Sequence, residues 1–168
     1  LRRDILNVSL VGMPSSGKTT LGRALAAALG RPFVDLDEEI VRADGRSIPE
    51  IFAAEGEDGF RARETEQVRR FGKESGLLIS CGGGVVTRPE NVRALRQNGL
   101  VLFVDRPLEA LAVGGGRPLS SSPEALRAME AERRPLYEKA ADAVIRNDGT
   151  AEDAAARALQ ALNELFAQ

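Results

Sequence analysis

Eight consecutive residues, Gly12-Met13-Pro14-Ser15-Ser16-Gly17-Lys18-Thr19, carry the most explicit chemistry in the chain. They match GxxxxGK[ST], a pattern whose glycines let the backbone close around phosphate oxygens and turn its N–H groups inward. The loop follows a β-rich apolar run at 5–11 and opens a helical pattern at 18–29, so a helix N-terminus adds partial positive charge. Lys18 can then reach the β- and γ-phosphates of a nucleoside triphosphate, and the Thr19 hydroxyl can ligate Mg²⁺. Gly12, Ser15, Ser16, Gly17, Lys18, Thr19 and Thr20 are the expected nucleotide-binding residues. Just downstream stand Asp35 and Asp37. Separated by one residue at the end of a strand, they lie in extended chain, where i and i+2 share a face, so the two carboxylates project together at the carboxyl edge of the sheet. One can hold Mg²⁺ through its water shell while the other orients or deprotonates a hydroxyl.

Other chemistries are closed to this chain. It has no histidine, which excludes Ser-His-Asp and Cys-His catalysis and His-ligated zinc. The single cysteine, Cys81, can form neither an internal disulfide nor a thiolate cage, and reads as a small buried residue at a strand end. Lys and Arg number 23 against 25 Asp and Glu, a net charge of −2 that lacks the broad basic footprint of a nucleic-acid binder. No apolar run approaches the ~20 residues needed to cross a bilayer, so a cytoplasmic protein without a membrane partner is expected. The chain starts at Leu1 and not Met, as expected of a processed chain or of one cut from a longer polypeptide.

Short apolar runs alternate with longer helical patterns, the signature of a parallel α/β domain spanning 1–168. Strands are expected at 5–11, 33–35, 77–80, 100–104 and 143–145. Helices are expected at 18–29, from a Ser47/Glu50 capping box, over 60–75, and from a Thr150 cap to the C-terminus. The 60–75 helix would place Phe60, Glu64, Val68 and Phe71 along one side. Gly82-Gly83-Gly84 follows a strand, and the polar Gly-rich segment at about 113–122 reads as a mobile lid.

The ordered set of P-loop, Asp35-Leu36-Asp37, Phe60-Arg61 with Glu64, Gly82-Gly83-Gly84, Arg117-Pro118-Leu119 and Glu132-Arg133-Arg134-Pro135-Leu136-Tyr137 resembles shikimate kinase over nearly the whole chain. The resemblance implies a single-domain P-loop kinase fold, with a five-stranded parallel sheet flanked by helices and a mobile lid. It implies transfer of the γ-phosphoryl of ATP, with Mg²⁺, to the 3-hydroxyl of shikimate, a step towards chorismate and the aromatic amino acids. By position it assigns Asp37 to the substrate hydroxyls, Arg61 and Arg133 to the shikimate carboxylate, and the Gly83 backbone N–H to the substrate, with Gly82 beside it in the substrate site. It gives Arg117 to the ATP phosphates from the lid, so Lys18, Asp37 and Arg117 become the expected catalytic residues and Thr19 and Asp35 the expected metal site. A monomer with ATP and shikimate as its small-molecule partners is expected.

Physical reading of the same residues agrees, because guanidinium forks suit a carboxylate and Glu64 lies one turn from Arg61. Two other readings compete. One is a kinase for another small acid such as gluconate; the paired arginines favour a carboxylate over a neutral sugar. The other is a nucleotide-binding regulatory domain without catalysis, against which the full set of Lys18, Thr19, Asp35, Asp37 and Arg117 stands.

Overall fold

The computed structural model describes residues 5–111, 119 and 122–168. Its strands are β1 (Asn7–Val11), β2 (Phe33–Asp35), β3 (Leu78–Ser80), β4 (Gly99–Asp105) and β5 (Ala143–Arg146). They form one sheet in the order β2-β3-β1-β4-β5, and every pairing is parallel. The helices are α1 (Lys18–Leu29), α2 (Leu36–Asp44), α3 (Ile48–Gly72), α4 (Pro89–Gln97), α5 (Pro123–Ala140) and α6 (Ala151–Phe166). This is the architecture that the alternating pattern and the resemblance both imply.

Side chains alternate across the pleat and feed a core on each face. Val8 and Leu10 of β1, with Leu102 and Val104 of β4, pack under Leu21 and Leu25 of α1 and Ala158 and Leu162 of α6. Val11, Val101 and Phe103 face the other way, against Val68 and Phe71 of α3, Leu95 of α4 and Met129 and Tyr137 of α5. Strand order reverses around β1, so ligands have a crevice at the carboxyl ends of the strands.

Local signals explain most boundaries. The Ser47 hydroxyl accepts from the Glu50 N–H at 3.3 Å while the Glu50 carboxylate accepts from the Ser47 N–H at 3.1 Å, the expected capping box. Thr150 caps α6 through the Asp153 N–H at 3.1 Å. The stretch from that box through the 60–75 pattern forms one long element, α3, broken at Gly56, whose φ of 71° and ψ of −172° interrupt the helix. Ser122 caps α5 by accepting from the Ala125 N–H. Of the expected lid, only Leu119 and Ser122 are among the described residues; Arg117 and the glycine run lie outside them. No helix among the described residues is long and apolar enough to cross a membrane.

Candidate active site

The P-loop connects β1 to α1 through backbone conformations that few residues tolerate. Gly12 has φ 152° and Gly17 φ 91°, and a side chain on Gly12 would meet the Val104 carbonyl at 2.5 Å. Ser15 also has positive φ, 59°, which costs about 1–2 kcal/mol in a residue bearing a Cβ. Lys18 is buried and curls over its own loop, donating to the carbonyls of Gly12 at 2.8 Å and Met13 at 2.7 Å. Asn147, just beyond β5, locks the loop from outside by donating to the Ser16 carbonyl at 2.7 Å.

One correction concerns the aspartates. The extended geometry expected for residues 35–37 does not hold, because β2 ends at Asp35 and α2 starts at Leu36. Asp35 is the N-cap of α2: its Oδ1 accepts from the N–H groups of Asp37 and Glu38 at 3.0 and 3.3 Å. Its Oδ2 accepts from the Thr19 hydroxyl at 3.5 Å. Asp37 lies in the first turn of that helix. Both carboxylates still reach one cleft, since a tight strand-to-helix turn sits at the carboxyl edge of the sheet.

That cleft has a volume of about 470 Å³. Ser15, Gly17, Lys18, Thr19, Thr20, Asp35, Asp37, Arg61, Gly82, Gly83 and Arg133 line it, together with Phe52, Phe60, Glu64, Gly84, Leu119 and Met129. Gly12 and Ser16 belong to the loop without lining the cleft.

Each glycine after β3 makes room for a different neighbour. A Cβ on Gly82 would lie 2.8 Å from Asp37 Oδ1 and 3.0 Å from Glu64 Oε2; on Gly83, 2.7 Å from the Pro14 ring. On Gly84 it would lie 2.1 Å from an Arg61 nitrogen. The run is therefore more than a turn. It lets the P-loop, α2 and α3 converge on β3, and Gly84, part of the run but given no role by the sequence, holds space for Arg61.

Arg61 is buried, and its Nη1 donates to Glu64 at 2.8 Å while Nε reaches Glu57 at 3.3 Å. Its guanidinium also lies over the Phe60 ring. Glu64 is fully buried; burial pushes its carboxyl above the ordinary range against the pull of Arg61, and the Asp37 charge adds to the rise. Arg133 is buried at the cleft, whereas Arg134 turns away and binds Asp105 with both arms, at 2.7 and 3.2 Å, as well as Glu130. Asp105 above all holds the Arg134 guanidinium beyond its usual basicity. The two adjacent arginines thus divide, and Arg133 is the one at the cleft.

Tyr137 does more than pack. It is fully buried, and its hydroxyl donates to the Gly83 carbonyl at 2.5 Å and lies 3.7 Å from the Met13 sulfur. Burial lifts the phenol to about 12, although the positive charge of nearby Arg133 pulls the other way. The available sequence signal was its i+4 spacing from Arg133, which stacks the two on one face of α5. Cys81 is buried beneath the cleft with its thiol pushed well up, chiefly by burial, so it is no nucleophile.

A P-loop at the strand-order reversal, with carboxylates and buried guanidinium groups facing it, defines a P-loop kinase for a small molecule. A model of the family described as shikimate kinase matches residues 14–163. A shikimate kinase of Symbiobacterium thermophilum is 46% identical over 169 residues, covering 95% of this chain and 97% of the relative. The solved shikimate kinase of Acinetobacter baumannii in complex with shikimate superposes with a TM-score of 0.91 at 38% identity, covering 96% of this chain and 95% of that one. The Aquifex aeolicus shikimate kinase gives a TM-score of 0.84 at 32% identity, covering 94% and 96%. The chain belongs to the shikimate kinase family, an enzyme family of ATP-dependent phosphoryl transfer.

Proposed function

We propose that this chain transfers the γ-phosphoryl of ATP to the 3-hydroxyl of shikimate, and that the residues around the cleft divide the work. The observation that carries this reading is the meeting of a P-loop, the Asp37 carboxylate and two buried guanidinium groups, Arg61 and Arg133, in one cleft. A ring acid with neighbouring hydroxyls presents one carboxylate for arginine forks and several hydroxyls for a carboxylate acceptor. Arg61, held by Glu64, and Arg133, buried at the cleft, take the acid group. Asp37 receives the hydroxyls and draws the proton from the attacking oxygen. Gly82 and Gly83 admit the ring close to the backbone.

On the nucleotide side, Lys18 exchanges its two loop carbonyls for phosphate oxygens when ATP occupies the loop. Thr19 and Asp35 would hold Mg²⁺. A hydroxyl and a carboxylate 3.5 Å apart, beside a phosphate cradle, are the oxygen donors this ion takes while keeping much of its water shell. When bound, the ion neutralises charge on the phosphates. The protein's own share is positioning and fixed positive charge, which a loose phosphoryl-transfer transition state chiefly needs.

A coupled assay for ADP release tests the reading. ADP should form with ATP, Mg²⁺ and shikimate, fall away with chelator, and fail to form with gluconate. Turnover of gluconate without turnover of shikimate would overturn it.

A further inference from the structure

Arg106 stands directly after β4 at the carboxyl edge of the sheet, half-buried. Its Nε is sealed from solvent and meets no acceptor among the described residues. Neighbouring acids are already engaged: Asp105 is bound by both arms of Arg134, and Asp148 by Arg157 at 2.8 Å. A sealed guanidinium N–H without an acceptor is costly, and the charge behind it makes an anionic oxygen its best complement.

Its position names the anion. Arg106 Nη1 lies 3.8 Å from where a Cβ on Gly17 would stand, beside the Asn147 amide that holds the Ser16 carbonyl. Gly17 is the N-cap of α1, so the guanidinium faces a helix end of like partial charge and makes that end more attractive to phosphate. Neither Arg106 nor Asn147 lines the cleft shared by Asp37, Arg61 and Arg133. They flank Gly17 outside that cleft, on the side towards which a Cβ there would project.

We propose that Arg106 is a nucleotide-binding residue that grips ATP on its α-phosphate side and sets nucleotide affinity without acting on the transfer step. The proposal rests on the P-loop holding ATP as described above. Calorimetric titration with Mg·ADP and steady-state kinetics of the wild type, Arg106→Gln and Arg106→Lys test it. Arg106→Gln should raise the ADP Kd and the ATP KM about tenfold or more, with kcat at saturation and shikimate KM within about twofold. Arg106→Lys should recover part of the loss, and added salt should weaken ADP binding more in the wild type than in Arg106→Gln.

An unchanged ADP Kd in Arg106→Gln, beside a wild type that binds ADP, would overturn the role of Arg106 alone. Equal loss of affinity for both substrates with a lowered Tm would also overturn it, making the guanidinium a structural group. A wild type that binds no ADP would overturn the nucleotide reading of the P-loop itself, and this inference with it.

Discussion

The nucleotide side of the cleft is built mainly on one contiguous loop, with Asp35 as its outlying member, whereas the acceptor side is assembled from α2, α3, the glycines after β3, and α5. On the first side the backbone supplies the donors, and the single ammonium, Lys18, is held by carbonyls of its own loop. On the second, groups far apart in the chain meet through packing, as the Tyr137 hydroxyl does with the Gly83 carbonyl 54 positions earlier. A contiguous site survives wherever its strand–loop–helix unit folds. An assembled site fails whenever one of its walls shifts. The comparison therefore predicts that mutations on the loop remove chemistry and leave stability, while on the opposite wall those that break a buried pair, such as Arg61 with Glu64, do both.

The largest effects belong to the groups beside the reaction itself. Lys18→Ala should lower kcat on the order of 10²–10³-fold and weaken ATP as well, because it removes fixed charge from the transferring group. Asp37→Asn should lower kcat by about 10²–10⁴-fold with ADP binding intact, which single-turnover kinetics beside ADP titration would show. If Asp37→Asn retained near-wild-type kcat at saturating shikimate, the carboxylate would be a structural group of the α2 N-terminus.

The two arginines sharpen the contrast within the acceptor wall. Arg133→Ala should raise shikimate KM about 10- to 100-fold with little change in Tm. Arg61→Ala should do the same and also destabilise the fold by about 3–5 kcal/mol, since it strands the buried Glu64 carboxylate. The added instability carries a sign in pH. The folded Glu64 carboxyl is raised above its ordinary value near 4.3, so the unfolded chain releases this proton first as pH rises. Stability of Arg61→Ala should fall relative to the wild type as pH climbs from below 4 through the raised folded value. Thermal melts from pH 4 to 8 would read this, and parallel curves would remove the buried ion pair from the account.

Much of this was legible in the sequence, for reasons that differ between the two sides. The P-loop needs eight neighbours in a row, and Lys18–Leu29 followed it with the helical boundaries that the periodicity indicates. Arg61 and Glu64 could be paired by helical spacing alone. Asp37 could be selected but not placed, because nothing in Asp35-Leu36-Asp37 distinguishes two more extended residues from the first turn of a capped helix. Gly84 and Tyr137 were hidden more deeply. The need for glycine at 84 arises from an arginine 23 residues earlier, and the task of the Tyr137 hydroxyl from a carbonyl 54 residues away. Distances of that kind exist only after the sheet brings the segments together.

A smaller effect follows for Tyr137. Tyr137→Phe keeps the ring packed on Phe103, 5.1 Å between centroids, and removes only the hydroxyl that holds the Gly83 carbonyl one helical turn from Arg133. Loss of one hydrogen bond of about 0.5–1.5 kcal/mol should raise shikimate KM by about 2- to 10-fold and leave the ATP KM nearly unchanged. A fall in kcat with shikimate KM unaltered would show that the phenol serves the reaction in some way other than bracing the acceptor wall.

Separate calorimetric titrations of Mg·ADP and of shikimate into the wild type and Arg133→Ala test the division of the cleft most directly. The account predicts an ADP Kd within about twofold of the wild type and shikimate binding weakened at least tenfold. An unchanged shikimate Kd, or an equal loss for both ligands, would contradict it.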